Sequence, residues 1–538
     1  MHVMFIARGW ENFGISQLSS IVQAYGHSVS LGYSPGLFDD TNYLHVPCLA
    51  DHFDDTHIIL KEIEKNRPDV LAFSVITATY QWSLRIAREA KALMPDVPVI
   101  FGGIHASAVP EELIVQKCID YVCIGEADHA FPVLLDALAH QEPVHPIINT
   151  WGKTSEGRVI KGPQTGFIRN LDNLPFFDKP LWEDHMQMHL YYITTTSRGC
   201  PFQCSFCFNS YYSKLAQNPA GPYVRRRGVD HVIQELSVAR NRYQPKMIEF
   251  FDDIFTLNKP WLKNFLEKYK QTIRIPFQIF THVNYVDEEV AAWLNEAGCL
   301  SAQIGLQSLD QKYKKQHLNR FETNQQASLA IQSLKKHHIQ VKIDHMFGLP
   351  QEPMEAQEKA RKFYQDNVPY RIQTYWTNYY PRTELIRTAI NADILSREDA
   401  ESIRKGLSFD SFTYAHHKID RAKIKTYQSF CLLFKLLPIL PGPVRSKVSV
   451  KIFKIFPQKV LSMISFFIDL CVGVIQMNPD HWQYSRYYLH HIKRFYRVRR
   501  GKQTRPASKI YSTEMFNRFS TNHETPVGKV KRRKIWTS

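Results

Sequence analysis

The chain has 538 residues, of which 44% are hydrophobic and 22% charged, with a formal net charge of +16. That balance suits a folded protein of three or four domains and excludes a mainly disordered one. Nine cysteines, odd in number and mostly scattered, exclude a disulfide framework and point to a reducing cytoplasm.

The opening segment, His2–Arg8, is too short an apolar run for an export signal and reads as a buried strand. Further strands are predicted at Ser28–Tyr33, Asp69–Val75, Val97–Gly103 and Tyr121–Glu126. They alternate with helices near Gly14–Tyr25, His57–Asn66, Tyr80–Leu93, Pro110–Cys118 and Ala130–Ala139. Such alternation predicts a five-stranded, doubly wound α/β unit over residues 1–145. Ligands of such sheets sit beyond the carboxyl ends of the strands. Those ends carry Gly14, Ser74, Thr77, Gly102, Gly103, His105, Gly125 and Glu126, small or polar groups that let a large flat ligand approach the backbone. The plain alternative is that the glycines only close turns. No Gly-x-Gly-x-x-Gly fingerprint indicates a dinucleotide.

Residues 146–190, rich in glycine and proline, read as a linker that docks one domain on the next. From Tyr191 a second series begins, with strands near Tyr191–Thr196, Lys246–Phe251, Phe277–His282, Ala302–Leu306, Val341–Phe347 and Ile372–Tyr379. Helices are predicted between them at Val232–Arg242, Pro260–Gln271, Glu288–Ala297 and Thr323–Lys336. Six βα units over residues 191–390 predict a partial parallel barrel, with reactive groups at the carboxyl ends of its strands.

The loop after the first of these strands reads Arg198-Gly199-Cys200-Pro201-Phe202-Gln203-Cys204-Ser205-Phe206-Cys207. Three thiolates on one short loop can each hold one iron of a four-iron, four-sulfur cluster and leave the fourth iron open. Structural zinc normally takes four ligands, and no second Cys pair follows. Simple burial of small residues is the other alternative, but three cysteines in eight positions beside Gly and Pro argue against it. Other strand ends offer Asp252, Asp253, His282, Asn284, Gln307 and Ser308. Either aspartate could instead cap a helix.

The triplet, with Phe206 before its last cysteine, resembles the signature of radical S-adenosylmethionine enzymes. Ser74-Val75-Ile76-Thr77, Phe101-Gly102-Gly103-Ile104-His105 and Ile124-Gly125-Glu126 resemble the cobalamin-binding domain that precedes many of their cores. The resemblance implies a flavodoxin-like cobalamin domain, a partial (βα)6 barrel and a mainly α C-terminal domain. It implies a 4Fe-4S cluster on Cys200, Cys204 and Cys207, with S-adenosylmethionine near Phe206, Phe250, Asp252, His282, Asn284, Gln307 and Ser308. Cobalamin is implied at the eight strand-end residues of the first unit, His105 touching it by backbone or ring edge. The Asp-x-His-x-x-Gly element is absent, so no protein imidazole is expected beneath the cobalt. Gln307 stands where the family pattern has Glu, and His282 where many relatives carry Arg, which removes charge from both positions.

Methyl transfer to an unreactive carbon of a small molecule is the activity this resemblance implies, with a flavodoxin- or ferredoxin-type electron donor; the apolar helices of the last third point to a lipophilic substrate. Cyclisation or oxidation without methylation is the alternative. A methylthiolating tRNA enzyme would need three further cluster cysteines upstream and a small β-barrel, which the sequence lacks. A non-catalytic cobalamin or redox sensor would need no open iron.

Residues 391–500 turn helical. Val460–Ile475 is short and interrupted by Asp469, so it reads as a buried helix before a membrane span. Phe430–Leu440, Ile452–Phe456 and Val460–Ile475, beside the basic, aromatic Arg486–Arg500, also suit an anionic membrane surface. The expected location is the cytoplasm, peripheral at the inner face of the membrane. Between Arg486 and Ser538 there are fifteen Lys/Arg and two acidic residues, so only about three net positive charges fall on the first 485 residues. Residues 501–538 read as a disordered basic tail. No RNA-binding module accompanies the tail, so nucleic acid is not expected as a partner.

Overall fold

Seven strands build the first sheet of the computed structural model, which describes residues 1–40, 44–216, 222–407, 421–476 and 479–499. In chain order they are β1 (His2–Arg8), β2 (Ser28–Ser34), β3 (Val70–Ser74), β4 (Val99–Gly102), β5 (Tyr121–Cys123), β6 (Thr150–Lys153) and β7 (Val159–Lys161). Their spatial order is β2-β1-β3-β4-β5-β6-β7, the first five parallel and the last two antiparallel. The five strands expected over residues 1–145 are all present, and two more, β6 and β7, come from the segment expected as a linker. β6 and β7 are brief, and Gly152 and the polar residues around Thr154–Gly157 break any apolar alternation. The expected tail, 501–538, lies outside the described residues.

Period-two alternation explains why both faces of this sheet are covered. Met4 and Ile6 of β1 join one core with Ile59 and Ile86 of the helices Thr56–Asn66 and Thr77–Leu93. Val3 and Phe5 join the other with Ile15 and Phe131 of the helices Phe13–Ala24 and Ala130–Ala139. The strand order reverses between β1 and β3, and a crevice opens there beyond the carboxyl ends.

The second sheet runs β8 (Tyr191–Thr194), β9 (Met247–Phe250), β10 (Phe277–Thr281), β11 (Cys299–Gln307), β12 (Gln340–Phe347) and β13 (Arg371–Trp376), all parallel and in chain order. Ile248, Phe250 and Ile279 face the helices outside it. Glu249, Phe280 and Gln303 face inward.

The C-terminal helices clasp the two units. Helix Arg421–Leu436 sends Tyr427, Phe430 and Phe434 into the barrel's core. Helix Pro479–Arg499 returns to the first unit, where Tyr487 and Tyr488 pack with Leu37 and Phe53. Among the described residues no helix is long and apolar enough to cross a membrane.

Buried ion pairs weld the units together. Lys179 reaches Glu11 at 2.7 Å, both side chains 4% exposed. Arg225 grips both carboxylate oxygens of Glu126 at 2.8 Å, and Arg198 holds Asp128 at 2.9 and 3.1 Å. Paired, two-point contacts of this kind fix orientation as well as distance.

Candidate active site

The cysteine loop follows β8 and is pinned from several sides. Ser205 donates its backbone N–H to Leu318 O (3.1 Å) and its hydroxyl to His317 O (2.6 Å), and its own carbonyl accepts from Leu385 N at 3.0 Å. Asn319 donates to Gln203 O at 2.8 Å. Gly199 has φ +90°, and a Cβ there would stand 2.7 Å from Tyr223 O, so the turn into Cys200 requires glycine.

All three cysteines are free and partly exposed. Burial pushes the thiol of Cys200 up to about 12 and that of Cys207 up to about 11, and raises Cys204; each of the first two also feels the charge of its neighbouring cysteines. Arg320 works against burial at Cys204. Its guanidinium is anchored by Glu322 (2.8 Å) and the carbonyl of Gly305 (2.7 Å). Among the described residues no three His, Cys, Asp or Glu side chains converge on a single-ion site. A cluster that takes one thiolate per iron needs no such convergence. Three mutually interacting thiols beside one fixed cation therefore fit a 4Fe-4S cluster, whose binding would displace the thiol protons.

Residues expected around S-adenosylmethionine divide. The His282 ring lies 4.3 Å from that of Phe202 in the cysteine loop, tilted by 31°, and its Nδ1 accepts from Asn284 N at 3.3 Å. Burial lowers its pKa, partly offset by Glu322 3.7 Å away. Asn284 is exposed. Gln307 has φ +63° at the register shift between β11 and β12, and its side chain folds over Gly305. Phe206 packs beside Tyr313, Leu318 and Leu385. Three others turn elsewhere. Phe250 is fully buried among Phe255, Phe265 and Phe277. Asp252, 1% exposed, spends its carboxylate on Thr196 N (2.9 Å), the Thr196 hydroxyl (2.6 Å) and the Ser197 hydroxyl. Ser308 is fully buried and accepts from Asp310 N at 3.3 Å.

A cavity of about 1210 Å³ joins the two units. On the first unit it is lined by Gly14, Ser74, Gly102, Gly103, Gly125 and Glu126. Gly103 has φ +93°, and a Cβ would meet both Val75 N and Val75 O at 2.9 Å. Thr77 and His105 stand apart from the lining. The Thr77 hydroxyl lies 3.1 Å from His105 Nδ1, and the imidazole, fully buried against Tyr80, is pushed down to about 4 by desolvation. On the barrel side the lining includes Thr195, Arg198, Phe251 and Phe280, the first two just before the cysteines.

Several lining groups escaped the sequence reading. Trp10, Arg371, Lys435 and Tyr484 all face the cavity. Tyr484 and Lys435 come from distant helices, and only tertiary folding brings them there.

The profile of the B12 binding domain matches residues 6–135, and that of the radical SAM superfamily residues 194–364. An uncharacterized methyltransferase, PH0819, of Pyrococcus horikoshii is 30% identical over 393 residues, covering 70% of this chain and 82% of that protein. The anaerobic magnesium-protoporphyrin IX monomethyl ester cyclase of Rubrivivax gelatinosus is 24% identical, over 70% of this chain and 65% of its own length. The fold matches that of OxsB, a cobalamin-dependent S-adenosylmethionine radical enzyme solved with aqua-cobalamin and S-adenosylmethionine, with a TM-score of 0.60, 13% identity, and coverage of 96% of this chain and 83% of that one. The chain belongs to the cobalamin-binding radical S-adenosylmethionine enzymes, whose cofactors are cobalamin, S-adenosylmethionine and a 4Fe-4S cluster.

Proposed function

We propose that the protein methylates an unreactive carbon of a small, largely apolar molecule. One observation carries this reading: a single cavity runs from the glycine-lined ends of β1, β3, β4 and β5 to the barrel mouth beside the cysteine loop. A methyl donor and a radical generator must face one substrate for this chemistry, and a shared chamber is what brings them within reach. When bound, the cofactors supply a 5'-deoxyadenosyl radical that removes a hydrogen atom from carbon and a methyl group that replaces it.

In this reading Cys200, Cys204 and Cys207 hold the cluster. His282, Asn284, Gln307 and Phe206 position the nucleoside and methionine, while Asp252 holds the strand-to-loop turn in place. Gly14, Ser74, Gly102, Gly103, Gly125 and Glu126 bed the cobalamin. Functional boundaries follow the sheets: residues 1–161 for cobalamin, 191–390 for the radical core and 391–499 for the clasp. Electrons arrive from a flavodoxin- or ferredoxin-type donor in the cytoplasm. Comparison of metabolites from cells with and without the protein, fed methyl-labelled methionine, tests the reading. A labelled product confined to cells with the protein supports it; a ring closure without label supports the cyclase alternative, which the similarity to the Rubrivivax enzyme favours.

The C-terminal segment supports a peripheral membrane position. Val444, Ile452, Ile455 and Phe456 are exposed among Arg445, Lys447, Lys451 and Lys454, and no acidic residue occurs from 441 to 468. Apolar side chains beside cations suit the interface of an anionic bilayer.

A further inference from the structure

At the end of the cavity built by β13 and the helices Arg421–Leu436 and Gln458–Ile475, three charges meet. Asp469 lies between Arg371 (Nη2 to Oδ1, 2.7 Å) and Lys435 (Nζ to Oδ2, 2.8 Å). The two cationic side chains are only 15% and 14% exposed, and all three groups line the cavity. Two cations thus share one carboxylate.

Several other charges around the chamber are paired. Glu126 and Asp128 face Arg198 and Arg225, and Glu11 faces Lys179. Inside the barrel, Lys342 on β12 donates from its Nζ to Gln278 on β10 at 2.9 Å, and Glu249 on β9 also lines the chamber. Next to the triad, Gln303 donates to Asp344 (2.8 Å) and Gln373 (3.1 Å). Burial pushes Asp344 up to about 7, so it adds only a fractional negative charge behind Gln303. The triad keeps an excess of one positive charge in a poorly solvated place, which is costly unless a ligand anion meets it. The walls between this pole and the glycine face are apolar, with Phe38, Phe251, Phe280, Tyr484 and Ile492.

We propose that Arg371 and Lys435 bind an oxyanion, carboxylate or phosphate ester, at one end of an otherwise apolar substrate. This rests on the cavity being the reaction chamber. The substrate class is therefore an amphiphile with a single anionic head, its apolar body lying across the chamber toward the cysteine loop. Asp469 holds the two cations apart and in place.

The intact chain, loaded with cluster and cobalamin, is titrated calorimetrically with decyl phosphate, decanoate, decanol and decyltrimethylammonium. The expected order is decyl phosphate or decanoate well ahead of decanol, with the ammonium weakest. Which anion binds tighter identifies the head group. Arg371→Gln and Lys435→Met each weaken anion binding about tenfold to a hundredfold, the range of a lost charge-assisted hydrogen bond. Asp469→Asn tightens it, and decanol stays within about twofold throughout. Retained cobalamin absorbance identifies folded variants; Lys435→Gln, which also removes the charge, replaces Lys435→Met if that protein fails to fold. Equal binding of decanol and the anions by the wild type, undiminished anion affinity in the cation variants, or no tightening in Asp469→Asn overturns the proposal. Formation of 5'-deoxyadenosine by the wild type with dithionite reports on the enzyme reading separately: it can persist when the anion preference fails, and fail when the preference holds.

Discussion

Tyr33 and Tyr487 stand 454 positions apart in the chain, yet their hydroxyl oxygens lie 2.6 Å from each other. Both hydroxyls also reach Gly9 O, at 2.7 and 3.2 Å, and Trp10 stacks on Tyr487 at 4.4 Å. The last described helix thereby holds the loop that borders the cavity after β1. Tyr487→Phe loses the shared hydrogen bond and is expected to cost about 1 kcal/mol. Tyr487→Ala also removes the stacked ring and is expected to cost about 3–5 kcal/mol. Denaturant midpoints and the rate of cobalamin release check both, release being faster in the order wild type, Phe, Ala.

Gly103→Ala places a methyl group against the backbone of Val75 at a positive φ. A loss of roughly 1–3 kcal/mol follows from the strain, with cobalamin retention falling more than the folded content. Absorbance of bound cobalamin after gel filtration, set against far-ultraviolet circular dichroism, measures the two separately. A variant that keeps its cobalamin would remove Gly103 from the bed.

Much of this arrangement was legible in the residues. β1 matches its expected limits because Val3–Ala7 is an unbroken apolar run between polar His2 and Arg8, and Gly103 and Gly125 announced tight backbone at strand ends. Phe250 was not, because one step along a strand moves a side chain to the opposite face: Glu249 and Phe251 face the cavity and Phe250 the core. Asp252 sits where a ligand contact was expected, but its oxygens are consumed by Thr196 and Ser197, a pairing 55 to 56 residues apart. The Arg371–Asp469–Lys435 triad joins three elements and has no local signature.

Asp178 gives a pH dependence. It is 2% exposed and accepts from Ser19 (2.5 Å) and Gln23 (2.6 Å). Burial, with Glu183 adding to it, pushes its pKa up to about 6 despite those hydrogen bonds. A folded-state value above the unfolded one means the folded form holds the extra proton. Stability at this site is complete below pH ~4 and declines as pH rises toward about 6, by about 2–3 kcal/mol. Asp178→Asn is expected to stabilise the protein at pH 8 and to be near neutral at pH 4, read from thermal midpoints at both.

Ile455→Glu with Phe456→Glu places two carboxylates on the exposed basic and apolar segment. Flotation with vesicles containing phosphatidylserine should fall several-fold relative to wild type, while vesicles of phosphatidylcholine alone recover little of either. Equal recovery of variant and wild type from the anionic vesicles would remove the membrane proposal.

The most direct measurement is made on the intact chain reconstituted anaerobically with iron, sulfide and cobalamin, then given S-adenosylmethionine and dithionite. About four irons per chain and accumulating 5'-deoxyadenosine are expected, with both lost in Cys204→Ala while bound cobalamin remains. A wild-type protein that takes up no iron, or a Cys204→Ala variant that still forms 5'-deoxyadenosine, would contradict the assignment of the cysteine loop.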